Sequence, residues 1–85
     1  MKPPVSLAAI QYRPPKGRPN EARLALAALI DEAGQAGARL IVAPEMATTG
    51  YVWPNAEAIE PHCEAPEGAT FAALAPLAAR YDAWI

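Results

Sequence analysis

Residues 37–51 read G-A-R-L-I-V-A-P-E-M-A-T-T-G-Y, and they carry the clearest structural signal in the chain. Residues 40–43 are apolar and partly β-branched, and Pro44 ends the run, which is typical of a short buried strand. Glu45 follows at once. Because ligands bind at the carboxyl ends of strands in open α/β sheets, this pattern indicates Glu45 as the candidate functional residue.

The sequence before this strand predicts another strand and a helix. Val5 to Tyr12 is apolar, partly β-branched and bounded by prolines, so it predicts the first strand. Asn20 is a candidate N-cap for a helix that continues through Glu32 or beyond, and Gly37 suits the left-handed position after the helix end. Apolar residues recur on one helical face, and they are Ala22, Leu26, Leu29, Ile30 and Ala33. The order strand, helix, strand predicts a parallel pair joined by a right-handed crossover.

The second half of the chain predicts a loop, a helix and the start of a strand. Residues 46–66 contain turn-forming residues without a sustained period, which indicates a long loop with a helical turn at residues 56–59. A second helix is predicted over residues 70–81, where Pro76 either introduces a kink or marks a later start. Residues 83–85 predict the beginning of a third strand.

The motif around Glu45 also carries a family resemblance. The run G-A-x-L-I-V-x-P-E-x-x-x-T-G-Y, preceded by a strand ending in residues 9–11 and a helix opening near Asn20, resembles the N-terminal part of the nitrilase (carbon-nitrogen hydrolase) superfamily. The resemblance covers essentially the whole chain and roughly the first third of the family domain, judged by ordinary domain length. It implies an α/β fold in which residues 1–85 form the β-α-β-α start of one four-layer α-β-β-α sandwich domain.

The same resemblance implies a hydrolase of non-peptide carbon–nitrogen bonds in amide, nitrile or carbamoyl compounds. Family members use a glutamate as general base, a lysine as oxyanion support and a cysteine as nucleophile, through a thioester. Glu45 stands at the position of the catalytic glutamate, and amide hydrolysis with ammonia release is the commonest expectation. No cofactor is needed because side chains fill all three roles. The resemblance also implies a homodimer or a higher homo-oligomer.

Only the glutamate of the three catalytic residues maps onto this chain. Lys2 and Lys16, the only lysines, both precede Glu45, whereas the family's lysine lies well downstream. Cys63 lies in a polar segment with no lysine between it and Glu45, so the nucleophile is not assigned to it. Without the resemblance, a solvated strand-end carboxylate explains Glu45 equally well. Next to the apolar Met46, the carboxylate is expected to be partly desolvated, which suits a general base.

The loop after the second strand supplies the candidate substrate-binding residues. Residues 48–51 resemble the loop that shapes the family's pocket, and the resemblance assigns substrate binding to Thr49 and Tyr51. Ordinary turn chemistry is an equally good explanation, with Gly50 at positive φ and Tyr51 packing over it. We expect Trp53 to cover the loop backbone rather than line a pocket entrance.

Other catalytic arrangements are disfavoured. His62 and Cys63 are adjacent, and neighbours in an extended segment point to opposite sides, so a thiol–imidazole pair would need a special turn. One histidine and one cysteine lack the repeated spacing of a metal site. Ser6, the only serine, falls within the predicted first strand rather than on a nucleophile turn. No phosphate-cradling glycine motif is present.

The composition of the chain indicates which kinds of binding partner and cellular setting to expect. The formal net charge is -2 and no lysine–arginine cluster is present, which disfavours nucleic acid and anionic membranes as partners. A single cysteine excludes an internal disulfide and indicates a reducing, cytoplasmic setting. No stretch has the apolar length of a membrane span or the pattern of a signal peptide. We therefore expect a small-molecule substrate.

The predicted strand at residues 40–43 belongs to a sheet whose two faces both need to be buried. Its positions are all apolar, so both faces of its sheet should be covered, but the sequence predicts only two helices to cover them. This imbalance predicts that the chain is part of a larger domain. The alternative is a non-catalytic truncated fragment or an interaction module that folds only with a partner.

Overall fold

A computed structural model describes residues 4–85. The elements in chain order are β1 (Leu7–Ala9), α1 (Pro19–Gln35), β2 (Leu40–Val42), α2 (Ala56–Ile59), a 3-10 turn (Glu60–His62) and α3 (Ala69–Tyr81). The predicted α/β class, the two helices and the helical turn at residues 56–59 are confirmed. Within the described residues, none of the helices has both the length and the apolar composition that crossing a membrane requires.

Strand β2 makes backbone hydrogen bonds along both of its edges. β1 runs parallel to it along one edge, with residues 7–9 in register with residues 40–42. On the other edge, the Ile41 amide donates to the Trp84 carbonyl at 2.7 Å, and the Trp84 amide donates to the Arg39 carbonyl at 2.8 Å. This isolated parallel bridge lies where the sequence predicts the start of a third strand, but the described residues form a two-stranded sheet.

The first strand is shorter than the predicted span from Val5 to Tyr12. Its partner β2 offers only three paired residues, and backbone bonds extend the ladder by one residue at each end. The Arg39 amide donates to the Ser6 carbonyl at 2.8 Å, and the Ile10 amide donates to the Val42 carbonyl at 2.8 Å. Ser6 thus lies at the entrance of the strand, where its carbonyl takes part in the ladder.

Helix α1 begins two residues earlier than an N-cap at Asn20 would place it. Arg18 is the N-cap residue and Pro19 occupies the first turn, where its fixed φ suits the helix and its missing N–H is not needed. The Asn20 side chain accepts a hydrogen bond from the Arg23 guanidinium instead. The prediction of Asn20 as N-cap was therefore wrong, because Pro19 sets the start.

Gly37 ends α1 as predicted. Its φ is +97°, and its amide donates to the Gly34 carbonyl at 3.0 Å. The Ala38 amide donates to the Ala33 carbonyl at 3.1 Å, which completes the Schellman pattern of a helix C-terminus. The turn leads the chain directly into β2.

Helices α1 and α3 cover one face of the sheet. The buried core consists of Leu26, Ile30, Ala38, Ile41 and Leu77. A Cβ on Gly34 would overlap the ring of Tyr81, so the glycine allows α1 and α3 to approach closely. The Tyr81 hydroxyl donates to the Asp31 carboxylate across the same contact.

The opposite face of the sheet, called here the open sheet face, is apolar and exposed. Side chains alternate between the faces of a strand, and on either side of the buried Ile41, Leu40 is 40% exposed and Val42 is 55% exposed. The parallel register places Leu7 of β1, Leu40 of β2 and the bridged Trp84 in one row. Leu7 and Trp84 are also exposed. As expected, the helices among residues 4–85 leave one face uncovered.

Helix α3 begins at Ala69 and continues through Pro76 without interruption. Pro76 therefore does not mark a later start, and it lies on the exposed side of the helix. Glu64 secures the beginning of α3, because its carboxylate accepts the Thr70 amide at 2.7 Å and also the Thr70 hydroxyl. These bonds, with a smaller contribution from Arg23, hold the pKa of Glu64 below its usual value.

Candidate active site

Glu45 lies just beyond the carboxyl end of β2. It follows β2 and Pro44 and begins a turn that spans residues 45–49. Met46 has a left-handed φ of +54°, so the chain changes direction immediately after Glu45. The Glu45 side chain is exposed, and the expectation of a partly desolvated carboxylate beside Met46 was wrong, because Glu45 lies on a surface turn. The predicted position beyond the strand end is confirmed.

Tyr51 lies against Glu45. The Tyr51 hydroxyl donates to Glu45 Oε2 at 3.2 Å, and the two residues are six positions apart in the chain. Desolvation raises the pKa of Tyr51, and the hydrogen bond to Glu45 and the negative charge of Glu45 raise it further. Tyr51 is 48% exposed, so about half of its surface remains accessible beside Glu45.

Residues 45–53, called here the Glu45 loop, are held by residues 12–17. The Tyr12 hydroxyl donates to the Ala47 carbonyl, and burial raises the pKa of Tyr12. The Gly17 amide donates to the Thr49 carbonyl at 3.1 Å. The shape of the Glu45 loop thus depends on the chain that leaves β1.

Gly50 is required where the two segments touch. Its φ is +79°, as predicted for this position, and its amide donates to the Met46 carbonyl at 2.9 Å. A Cβ at Gly50 would lie 2.9 Å from Lys16 Cα, closer than van der Waals contact allows. Both the backbone conformation and the available space therefore select glycine.

Lys16 and Trp53 fix the far end of the Glu45 loop. The Lys16 ammonium donates to the Val52 carbonyl at 2.5 Å and lies 4.9 Å from the centre of the Trp53 ring, within cation–π range. The Trp53 indole donates to the Gly50 carbonyl at 2.8 Å. This confirms the expectation that Trp53 covers the loop backbone.

The two candidate substrate-binding residues line different cavities. Thr49 is buried, its hydroxyl donates to the Gly50 carbonyl at 3.3 Å, and it lines an open cleft of about 970 Å³ between residues 46–49, residues 62–66 and α3. Tyr51 instead borders a smaller cavity of about 370 Å³, which it shares with Lys16. Thr49 and Tyr51 therefore do not converge on one pocket in the described residues.

His62 and Cys63 border the larger cleft but make separate contacts. The His62 ring lies 5.1 Å from the Trp53 ring, and the Cys63 thiol donates to the Ile59 carbonyl at 3.5 Å. This arrangement agrees with the expectation that they do not form a pair. Among residues 4–85, no group of three histidine, cysteine or carboxylate side chains could hold a metal ion. Lys2 lies outside the described residues.

Tyr12 and Lys16 are the site residues that sequence reasoning missed. Tyr12 had a usable signal, because with Ala8 and Ile10 it continues the alternation of side chains that face the helices. Lys16 had no local signal, since its contacts with Val52 and Trp53 join segments that are distant in sequence.

The family comparison covers almost the whole chain. A family model described as carbon-nitrogen hydrolase matches residues 6–85, a span that contains β1, the Glu45 loop and α3. The searches of curated proteins and of solved structures found no match.

Proposed function

The chain belongs to the carbon-nitrogen hydrolase family, and we propose that it acts in the hydrolysis of a non-peptide carbon–nitrogen bond with Glu45 as general base. The observation that carries the proposal is the position of Glu45 just beyond the carboxyl end of β2, where it is exposed to an approaching reactant and accepts a hydrogen bond from Tyr51. We place amides first as substrates, with nitriles and carbamoyl compounds as the alternatives. Thr49 and Tyr51 remain the proposed substrate-binding residues.

The proposed chemistry uses the Glu45 carboxylate twice. Glu45 first accepts the proton of a cysteine thiol as the sulfur attacks the carbonyl carbon, and a lysine ammonium stabilises the tetrahedral oxyanion. Collapse of this intermediate expels ammonia, which takes the proton back from Glu45, and leaves a thioester. Glu45 then takes a proton from the water that attacks the thioester, and it returns that proton to the cysteine sulfur as the carbon–sulfur bond breaks and the carboxylic acid is released. No cofactor is required.

The nucleophile and the oxyanion lysine are not assigned to Cys63 and Lys16. The Cys63 thiol donates to the Ile59 carbonyl, and the Lys16 ammonium donates to the Val52 carbonyl. Each group is engaged by backbone in its own part of the structure. The proposal thus assigns one chemical role within this chain, that of Glu45.

The setting of the enzyme is also a proposal. The single cysteine supports a cytoplasmic location, and the net charge of -2 supports a small-molecule substrate rather than nucleic acid or an anionic membrane. The open sheet face supports a four-layer sandwich in which a second sheet covers it. Family resemblance supports a homodimer or a higher homo-oligomer.

The test is an amidase assay on the protein purified from its own gene, with its intact mass compared with the 9.0 kDa of this sequence. Glu45→Gln should lower the rate of ammonia release from simple aliphatic amides by about 10²- to 10⁴-fold, the usual contribution of a general base. The control is Glu32→Gln, which neutralises an exposed carboxylate on α1 and should leave the rate unchanged. Full turnover by Glu45→Gln would refute the assignment.

The open sheet face favours a second candidate function, an interaction module that folds with a partner. Unpaired apolar sheet faces promote association. If the purified protein has a mass near 9.0 kDa, releases no ammonia and gains cooperative unfolding only in a complex, this second function replaces the first.

A further inference from the structure

The contact between Tyr51 and Glu45 joins the two ends of a short loop. The Tyr51 hydroxyl engages Glu45 Oε2 at 3.2 Å, which leaves Oε1 as the oxygen suited to accept a proton. A hydrogen bond of this kind restricts rotation of an otherwise exposed carboxylate. The bond therefore has a chemical consequence beyond the packing of the loop.

The backbone conformation that allows this contact is unfavourable on its own. Met46 and Val52, the residues after Glu45 and Tyr51, have left-handed φ values of +54° and +67°. A β-branched residue such as Val52 rarely adopts this conformation, and Val52 is 85% exposed, so its side chain gains little from burial. Strained residues of this kind persist where surrounding contacts fix them.

Lys16 supplies the contact that fixes the strained residue. Its ammonium donates to the Val52 carbonyl at 2.5 Å, and its side chain lies against the Trp53 ring. Because Val52 directly follows Tyr51, this bond also limits where the Tyr51 ring can lie. A charged donor to a carbonyl is stronger than a neutral one.

We propose that Tyr51 is a positioning residue that orients the Glu45 carboxylate, and that Lys16 fixes the backbone that carries Tyr51. The inference rests on the proposed role of Glu45 and changes the role of Tyr51 from binding substrate to holding the base. Tyr51 donates to Oε2 throughout the reaction, while Oε1 exchanges protons with the thiol and with water.

The first test measures the contact without relying on activity. The ring of Tyr51 is titrated by NMR, with ¹³C label on the tyrosine Cζ, in the wild type, Glu45→Gln and Glu32→Gln. Loss of the negative charge at residue 45 should lower the pKa of Tyr51, and the Glu32 variant should leave it in place. An identical Tyr51 titration in the wild type and Glu45→Gln would overturn the positioning proposal while leaving the general-base proposal intact.

The second test separates positioning from substrate binding. Tyr51→Phe should lower kcat by about ten-fold, the effect of losing one hydrogen bond to a charged group, with KM unchanged. A rise in KM at constant kcat would show that Tyr51 binds substrate instead. Lys16→Met should also lower kcat, and Lys16→Arg, which retains a charged donor, should restore most of it. Should Tyr51→Phe misfold, the two Lys16 variants still test the proposal. Equal kcat values for the wild type and Lys16→Met would refute the role of Lys16 in fixing the backbone that carries Tyr51.

Discussion

At the scale of single residues, the Glu45 loop depends on positions with left-handed backbone. Met46, Gly50 and Val52 all have positive φ within seven residues of one another. Only Gly50 is free of the steric conflict that a Cβ creates in this region. The other two positions are maintained by neighbouring contacts.

A comparison of two glycine substitutions, Gly50→Ala and Gly37→Ala, tests how far the loop depends on Gly50. Gly37→Ala should lower the free energy of unfolding by about 1 kcal/mol, the usual cost of a left-handed residue with a Cβ, because nothing lies within 4 Å of that Cβ. Gly50→Ala should cost more, because its Cβ also meets Lys16 Cα at 2.9 Å. Urea unfolding of both variants measures the difference, and equal losses would mean that contact with Lys16 is unimportant.

Residue-level prediction from sequence succeeded where the signal is local. Gly37, Gly50 and Trp53 behave as predicted because turn conformation and backbone coverage depend on neighbours in sequence. Asn20 failed as an N-cap because Pro19 is the better first residue of a helix. The exposure of Glu45 could not be read from the adjacent Met46, since burial depends on elements distant in sequence.

At the scale of elements, the start of α3 depends on a carboxylate that precedes it. Gly68, the N-cap residue, has no side chain to accept the first amides. Glu64 takes this role through Thr70, and its ion pair with Arg23 at 3.4 Å connects α3 to α1. One side chain therefore links two helices.

The pH dependence of stability should reveal this link. Because the pKa of Glu64 is lowered in the folded protein from its ordinary 4.5, its stabilisation is present above that value and is lost as the pH falls through the folded pKa. Urea unfolding should therefore show that the wild type has a larger free energy of unfolding than Glu64→Gln at pH 7. This difference should shrink as the pH is lowered. Asp31, whose pKa is lowered chiefly by the Tyr81 hydroxyl, should give both proteins a remaining acid dependence. If the difference in free energy of unfolding between the two proteins does not change with pH, the charge of Glu64 does not stabilise the start of α3.

Element prediction was accurate for order and type but not for the contacts between elements. The helical periodicity at residues 22–33 identifies α1 because it reflects burial on one face of the helix, and the apolar, partly β-branched run at residues 40–43 identifies β2. Nothing local indicates that residues 12–17 hold the Glu45 loop, because the hydrogen bond from Tyr12 to Ala47 spans 35 residues.

At the scale of the whole molecule, one side of the sheet is covered and the other is open. Leu26, Ile30 and Leu77 pack on the covered side with Ile41. The open sheet face carries the row formed by Leu7, Leu40 and Trp84. This asymmetry should govern how the 85-residue protein behaves in solution.

Concentration-dependent self-association is the expected behaviour. Leu40→Lys places a charge at the centre of the open sheet face and should reduce association, as measured by analytical ultracentrifugation. Leu24→Lys is the matched control, because Leu24 is 74% exposed on α1 and lies outside this face. A wild type that stays monomeric and unfolds in a single two-state transition would contradict the expectation.

The attachment of the Glu45 loop to residues 12–17 has a consequence for the order of folding. The Lys16 ammonium reaches the Val52 carbonyl across 36 residues, and contacts between such distant segments form only after the intervening chain has closed. Because the crossover through α1 and the pairing of β1 with β2 bring these two segments together, we expect them to be needed for the final shape of the loop. We therefore expect a substitution that weakens β1 to alter the Glu45 loop as well, although it lies far from that loop in sequence.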